Sequence, residues 1–116
     1  MEKFSKRLEF IANNYGIESQ LLKLHEECAE LGAAACKEIY LFASGANSKL
    51  CKKAARCRIY ETADVLILAS QVLYLLSLPE NKRLAKNIKK AMEKKINRQL
   101  RRIEAEKKYR QKTCLH

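Results

Sequence analysis

Apolar residues recur every three or four positions along most of this chain, a period typical of α-helices that bury one face. Glu18 and Ser19 are candidate N-caps for the second such segment, and Asn47 or Ser48 can cap the third, after the polar loop at 44–48. The pattern predicts four helices, at approximately residues 2–14, 18–42, 48–76 and 80–112.

The composition favours the same class of fold. The chain has 116 residues with only three glycines, one proline and 7% aromatic residues. Scarce aromatic and β-branched residues argue against a β-sandwich, and an apolar content of 47% is ordinary for a folded globule. We therefore expect an all-α fold in which residues 1–116 form a single domain, a four-helix bundle.

The third predicted helix is apolar on almost every side between Ala63 and Leu76. A helix of this kind must be covered all round. The three remaining helices of one small chain leave part of it open, so we expect the bundle to be completed by oligomerisation.

Three sequence features favour a cytoplasmic location. The five cysteines contain no CxxC pair and fit reduced thiols. The first ten residues are charged throughout, unlike a signal peptide. The longest apolar run, at 65–78, is interrupted by polar residues and is shorter than the roughly 20 residues of a membrane span. We expect no membrane partner.

Charge is distributed unevenly along the chain. Residues 1–79 carry 10 Lys or Arg and 9 Asp or Glu, a net charge of +1, whereas residues 80–116 carry 14 and 4, a net charge of +10. The last predicted helix is therefore a basic segment that attracts phosphate, whether on a nucleotide, a nucleic acid or a membrane surface.

Four acidic residues lie on or beside the apolar faces of two helices. Glu27 and Glu30 border the apolar stripe of the second helix, and Glu61 and Asp64 lie in line with that of the third. Burying ionised carboxylates costs several kcal/mol unless a cation compensates them. Two such i, i+3 pairs facing each other across antiparallel helices would supply the oxygen ligands that Mg²⁺ requires.

Two ordinary interpretations of these acids remain open. An ExxE pair on a helix is most often solvated charge. Buried acids can also be neutralised in structural salt bridges, here by Lys23, Lys37 or Arg58.

The acids also form a recognisable motif, in which Glu26, Glu27 and Glu30 are followed after a spacer by Glu61 and Asp64. This arrangement, EExxE then ExxD, resembles the signature of the MazG-like nucleoside triphosphate pyrophosphohydrolases. The resemblance covers roughly residues 8–104. Within this range it also includes Tyr15-Gly16 and Lys95-Ile96-Asn97-Arg98, which are similar to small members of the family. The thirty-residue spacer is slightly longer than is usual in that family.

The resemblance implies a helical dimer or tetramer that uses Mg²⁺ to cleave a nucleoside triphosphate into the monophosphate and pyrophosphate. Carried over to this chain, it makes Glu27, Glu30, Glu61 and Asp64 the metal ligands and catalytic residues. Lys95 and Arg98 on the fourth helix, which the resemblance includes, are candidate contacts to the substrate phosphates. Gln20 and Lys23 are comparable candidates, because they lie on the carboxylate face of the second helix.

Two other functions fit the same residues. The chain could be a non-enzymatic helical module that binds nucleic acid through its basic C-terminal helix, although that segment offers only Tyr109 for stacking on bases. It could also be a degenerate family member that binds nucleotides as a sensor. Weak, nonspecific nucleic-acid binding is expected of a +10 segment under every interpretation.

Overall fold

The structure is a computed structural model that describes residues 2–114, with side chains from residue 5 onward. The described residues contain no strand, so the predicted all-α class is confirmed. The elements are α1 (Glu2–Tyr15), α2 (Ile17–Ala43), α3 (Ser48–Leu76), a single 3₁₀ turn (Pro79–Asn81) and α4 (Lys82–Cys114). The four helices correspond to the four that the apolar periodicity predicts.

The starts of α2 and α3 differ in how they are capped. Gly16 has φ 85°, a conformation that favours glycine, and α2 begins at the very next residue without a side-chain cap. The prediction that Glu18 or Ser19 caps α2 is therefore wrong, because both lie inside its first turns. At α3 the Asn47 side chain accepts a hydrogen bond of 3.0 Å from the Leu50 N–H, which confirms Asn47 as the cap.

The chain divides into two compact units, one ending at Pro79 and the other beginning at Glu80. In the N-terminal unit the short loop at 44–47 returns the chain, so α2 and α3 pack against each other as an antiparallel pair. Helix α1 packs mainly on α3, and Asn13 donates a hydrogen bond of 2.9 Å to the Tyr74 hydroxyl. The buried apolar residues of this unit are Ala12, Ala54, Leu68, Val72 and Leu75.

The C-terminal unit consists of α4 and the turn before it. The helix is 33 residues long and carries most of the basic charge of the chain. Its apolar side chains form one stripe, and about half of the surface of Met92, Ile96, Leu100 and Ile103 is exposed.

Helix α3 is less covered than its composition demands. Leu68, Val72 and Leu75 are buried, but Leu66 and Leu73 are 62% and 67% exposed. By length and composition alone α3 is apolar enough to cross a membrane, with a mean hydropathy of 1.4 over 18 residues. The polar residues that interrupt the run at 65–78 predict the opposite. A core helix of a soluble protein meets the same criterion, so the cytoplasmic location stays a prediction.

Candidate metal and substrate site

Helices α2 and α3 bring three of the predicted acids together. Glu61 and Asp64 share a face of α3 because they are three residues apart, and Glu27 lies opposite them on α2. One carboxylate oxygen from each residue lies within 4.8 Å of the other two. This is the spacing at which three carboxylates could share one cation.

Burial is graded across this acidic cluster. Glu27 is only 8% exposed, Glu61 is half-buried and Asp64 lies at the surface. Among the described residues, neither Glu27 Oε2 nor Glu61 Oε2 has a hydrogen-bond partner, although both atoms are shielded from solvent. An uncompensated buried carboxylate oxygen is costly, so a cation, a proton or a water molecule at these two atoms would be stabilising. Oxygen-only ligands suit a hard divalent cation.

The pKa of Glu27 is raised above its usual value, chiefly by burial. The Glu30 carboxyl is the next cause, because it can form a hydrogen bond with protonated Glu27 and because the negative charge of Glu30 repels ionised Glu27. The negative charge of Asp64 raises the pKa of Glu27 further. Lys23 opposes these effects and lowers the pKa of Glu27. The site therefore favours a proton or another cation on Glu27.

Lys23 compensates the cluster only in part. Its Nζ lies 3.5 Å from Glu27 Oε1 and 3.4 Å from Glu26 Oε2. The pKa of Lys23 is raised, first by its hydrogen bond with Glu26 and then by the charge of that residue. Lys23 is half-exposed, so this pairing is worth little to stability.

The other two candidate cations do not neutralise the cluster. Arg58 donates a hydrogen bond to Glu38, further along the pair of helices. Lys37 is exposed and forms no ion pair with the described acids. Of the three candidate cations only Lys23 pairs with the cluster, and the second oxygen of Glu27 has no partner among the described residues.

The remaining acids of the motif lie at the edge of the site. Glu30 is exposed and is not one of the three clustered residues, but its carboxyl neighbours that of Glu27. The role of Glu30 as a fourth metal ligand stays a prediction. Glu26 points to solvent, with 58% of its side chain exposed, and pairs with Lys23.

A cavity of about 840 Å³ extends from the acidic cluster toward α1. Its volume lies within the range of small-molecule sites. The apolar residues of the lining come from all three helices of the N-terminal unit and are Ile11, Tyr15, Leu22, Ile67 and Leu68. The polar residues of the lining are Glu18, Ser19, Gln20, Lys23, Glu26, Glu27, Asp64 and Gln71.

Two glutamines are buried in this lining. Gln20 is 4% exposed and Gln71 is 3% exposed, and Gln20 Oε1 has no hydrogen-bond partner among the described residues. The sequence predicts Gln20 as a substrate contact, whereas Gln71 is only one of the polar residues that interrupt the apolar run at 65–78. The signal for Gln71 was its position seven residues after Asp64, two turns along the same face.

Lys95 and Arg98 lie on α4, in the C-terminal unit, where both side chains are exposed. They share a shallow concavity of that helix with Lys94, Asn97 and Arg101. This clustering concentrates positive charge on one part of α4. Contact between these two residues and a substrate phosphate stays a prediction.

Comparison of the chain with protein-family profiles, with curated protein sequences and with solved structures finds no match. The residues of the site and the resemblance of their motif are therefore what indicates a function.

Proposed function

We propose that this protein is a Mg²⁺-dependent nucleoside triphosphate pyrophosphohydrolase of the MazG-like kind. The observation that carries the proposal is the acidic cluster of Glu27, Glu61 and Asp64, in which two buried carboxylate oxygens have no partner among the described residues. The same residues make up the EExxE and ExxD halves of the motif, together with Glu26 and Glu30.

The donor set fits a magnesium ion. Glu27, Glu61 and Asp64 would hold it, with Glu30 beside Glu27 as a further carboxylate. Bound Mg²⁺ would neutralise triphosphate charge and lower the pKa of a coordinated water. In the reaction, water would attack the α-phosphorus, and the bond between this phosphorus and the oxygen that bridges to the β-phosphorus would break. The bridging oxygen leaves with pyrophosphate, and the monophosphate is the other product.

The surrounding residues suit a triphosphate ester. Lys23 lies beside the cluster and pairs with Glu26 and Glu27. When a triphosphate is bound, the ammonium group of Lys23 would also donate hydrogen bonds to phosphate oxygens. A carboxylate of the cluster that is not fully engaged by metal would accept the proton of the attacking water. The cavity is charged at the acidic cluster and apolar beside Tyr15 and Ile67, as a nucleotide is charged at one end and aromatic at the other.

The proposal is tested by incubating the full chain with each of the four NTPs and four dNTPs in the presence of Mg²⁺ and measuring pyrophosphate release. At least one nucleotide should yield equimolar monophosphate and pyrophosphate, and EDTA should abolish the reaction. Binding of nucleotide and Mg²⁺ without turnover would favour the sensor interpretation instead.

We further propose that the protein is a homodimer or homotetramer. Several large apolar side chains of the N-terminal unit are at least 60% exposed, and monomeric proteins rarely leave so much apolar surface open. Those outside the cavity lining are Phe10, Ile39, Tyr40, Phe42, Tyr60, Leu66 and Leu73. Sedimentation velocity at micromolar concentration should give a species at least twice the 13.4 kDa chain mass, and a stable monomer would contradict the proposal.

A nucleic-acid-binding role is the second candidate, and the exposed basic charge of α4 is the observation that favours it. If Lys95 and Arg98 contact a triphosphate, Lys95→Ala and Arg98→Ala should each reduce pyrophosphate release by roughly tenfold or more. Lys107→Ala and Lys108→Ala, on the same helix, should leave that rate unchanged.

The same four variants test the second candidate by fluorescence anisotropy with labelled DNA and RNA. If α4 is a surface that binds polyanions, all four substitutions should weaken nucleic-acid binding about equally. Each should also reduce the salt dependence of binding by about one phosphate contact. Tight binding at physiological salt, without pyrophosphate release from any nucleotide, would overturn the enzyme proposal.

A further inference from the structure

The buried amide of Gln20 is a polar group that the metal site does not use. It lines the same cavity as Glu27 and Asp64, is 4% exposed, and its Oε1 has no hydrogen-bond partner among the described residues. A buried acceptor without a donor costs free energy, so native proteins keep one chiefly where a ligand or a water completes it.

Gln20 and Gln71 lie on the same side of the acidic cluster. Gln20 precedes Glu27 by seven residues on α2, and Gln71 follows Asp64 by seven residues on α3, which runs antiparallel to α2. Two helical turns separate each glutamine from its acid, about 10 Å along the helix axis. The cavity therefore has an acidic end, which suits metal and phosphate, and an amide end set apart from it.

The amide end has apolar residues on its α1 and α3 sides, and polar residues of α2, at 18–20, line its third side. Ile67 lies one turn before Gln71 on α3, and Ile11 and Tyr15 contribute the wall from α1. Tyr15 is 60% exposed and so offers an accessible aromatic surface at the cavity rim. Planar, apolar faces with a polar edge are the shape of a nucleobase, and aromatic and aliphatic walls accommodate such faces.

The direction of the missing hydrogen bond favours a donor group as the partner of Gln20 Oε1, in place of the phosphate contact that the sequence predicts for this residue. This atom is an acceptor, and phosphate oxygens that are fully ionised are acceptors too. A donor is required, and the edge of a nucleobase carries an N–H donor beside an acceptor, a pattern that a glutamine amide can match with two bonds.

We propose that Gln20 is a specificity-determining residue whose Oε1 accepts a hydrogen bond from an N–H of the substrate nucleobase. The base is held between the walls formed by α1 and α3, with Gln71 beside it. The inference rests on the proposed function, because the acidic cluster must hold the metal and phosphates for the base to reach the amide end.

The experiment measures equilibrium binding to the full chain in the presence of Mg²⁺. The probes are inorganic triphosphate and the α,β-methylene analogues of ATP, GTP, CTP and UTP, which are not cleaved between the α and β phosphates. The variant is Gln20→Met, which keeps the length of the side chain but removes the amide. Gln111→Met, the same change at an exposed position of α4, is the matched control.

In the wild-type protein at least one nucleotide should bind about tenfold or more tightly than inorganic triphosphate. Gln20→Met should raise the dissociation constant of that nucleotide by at least about tenfold and leave that of inorganic triphosphate unchanged. Gln111→Met should change neither. The melting temperature of Gln20→Met should not fall, since the change removes a buried acceptor that has no donor in the described part of the chain.

The outcomes separate this inference from the proposed function. Equal losses for nucleotide and inorganic triphosphate would assign Gln20 to the phosphates and overturn the inference. The inference would also be overturned if the wild-type protein binds Mg²⁺ and inorganic triphosphate but binds no nucleotide more tightly than inorganic triphosphate. That result needs no variant and is compatible with the proposed metal site. If the wild-type protein binds neither Mg²⁺ nor any of these probes, the proposed function itself fails.

Discussion

In a pyrophosphate-release assay with Mg²⁺, the Glu61→Gln variant is expected to be at least about a hundredfold slower than the wild-type protein. Glu61 belongs to the acidic cluster, and its Oε2 is buried without a partner among the described residues. Glutamine keeps the shape of the side chain but removes the negative charge that would hold the metal. Losing a ligand forfeits several kcal/mol of charge stabilisation in the transition state, and each 1.36 kcal/mol is a factor of ten.

The control for this variant is Glu106→Gln, the same chemical change at an exposed position of α4. It should release pyrophosphate at the wild-type rate. Circular dichroism should show the same helix content for both variants, so that a lost activity is not a lost fold. A Glu61→Gln protein that retains the wild-type rate would contradict the proposed metal site.

The Glu27→Gln variant is expected to be more stable than the wild-type protein without metal, and no longer stabilised by Mg²⁺. The pKa of Glu27 is raised in the folded protein, so its ionised form opposes folding at neutral pH. Stability contributed by this group should increase as the pH falls from neutral through the raised pKa. Glutamine is neutral at every pH, so the advantage of the variant should be present near pH 7.5 and disappear under acidic conditions.

With Mg²⁺ present, the wild-type protein should instead be more stable than Glu27→Gln. Mg²⁺ at a hundred times its dissociation constant stabilises a protein that binds it only when folded by about 2.7 kcal/mol. That gain requires ionised carboxylates, so it should grow as the pH rises. Glu27→Gln should show almost none of it.

The measurement is thermal unfolding followed by circular dichroism, at mildly acidic and mildly alkaline pH, with either MgCl₂ or KCl of equal ionic strength. The KCl arm corrects for screening of the +11 net charge. Glu106→Gln should respond to Mg²⁺ as the wild-type protein does. A wild-type melting temperature that is indifferent to Mg²⁺ at both pH values, with and without nucleotide, would mean that the acidic cluster is not a metal site.

The secondary structure of this protein follows from local signals. Apolar periodicity predicts each helix to within a few residues, and Asn47 marks the start of α3 because its side chain bonds to a backbone N–H three residues later. The i, i+3 spacing likewise puts Glu61 and Asp64 on one face of α3. These relations involve one helix at a time, so they can be read without knowing how the helices pack. The exception is the start of α2, where the positive φ of Gly16 lets the helix begin earlier than the polar residues suggest.

Which residues meet across α2 and α3 is decided by packing. Periodicity assigns a residue to a helix face, but the register between two helices depends on how their side chains interlock along the whole interface. That register brings Glu27 to Glu61 and Asp64 and leaves Glu30 at the edge of the cluster. The same register pairs Arg58 with Glu38, although its charge alone would allow Arg58 to neutralise the acidic cluster.

The amide end of the cavity depends still more on tertiary structure. Gln71 interrupts an apolar run, and in the sequence it resembles any polar residue on the open side of a helix. It becomes part of a site because α1 packs on α3 and places Ile11 and Tyr15 around the same cavity. The spacing of residues along a single helix contains no information about a third helix. This cavity, with the Gln20 oxygen that no described residue bonds, therefore exists only in the packed unit.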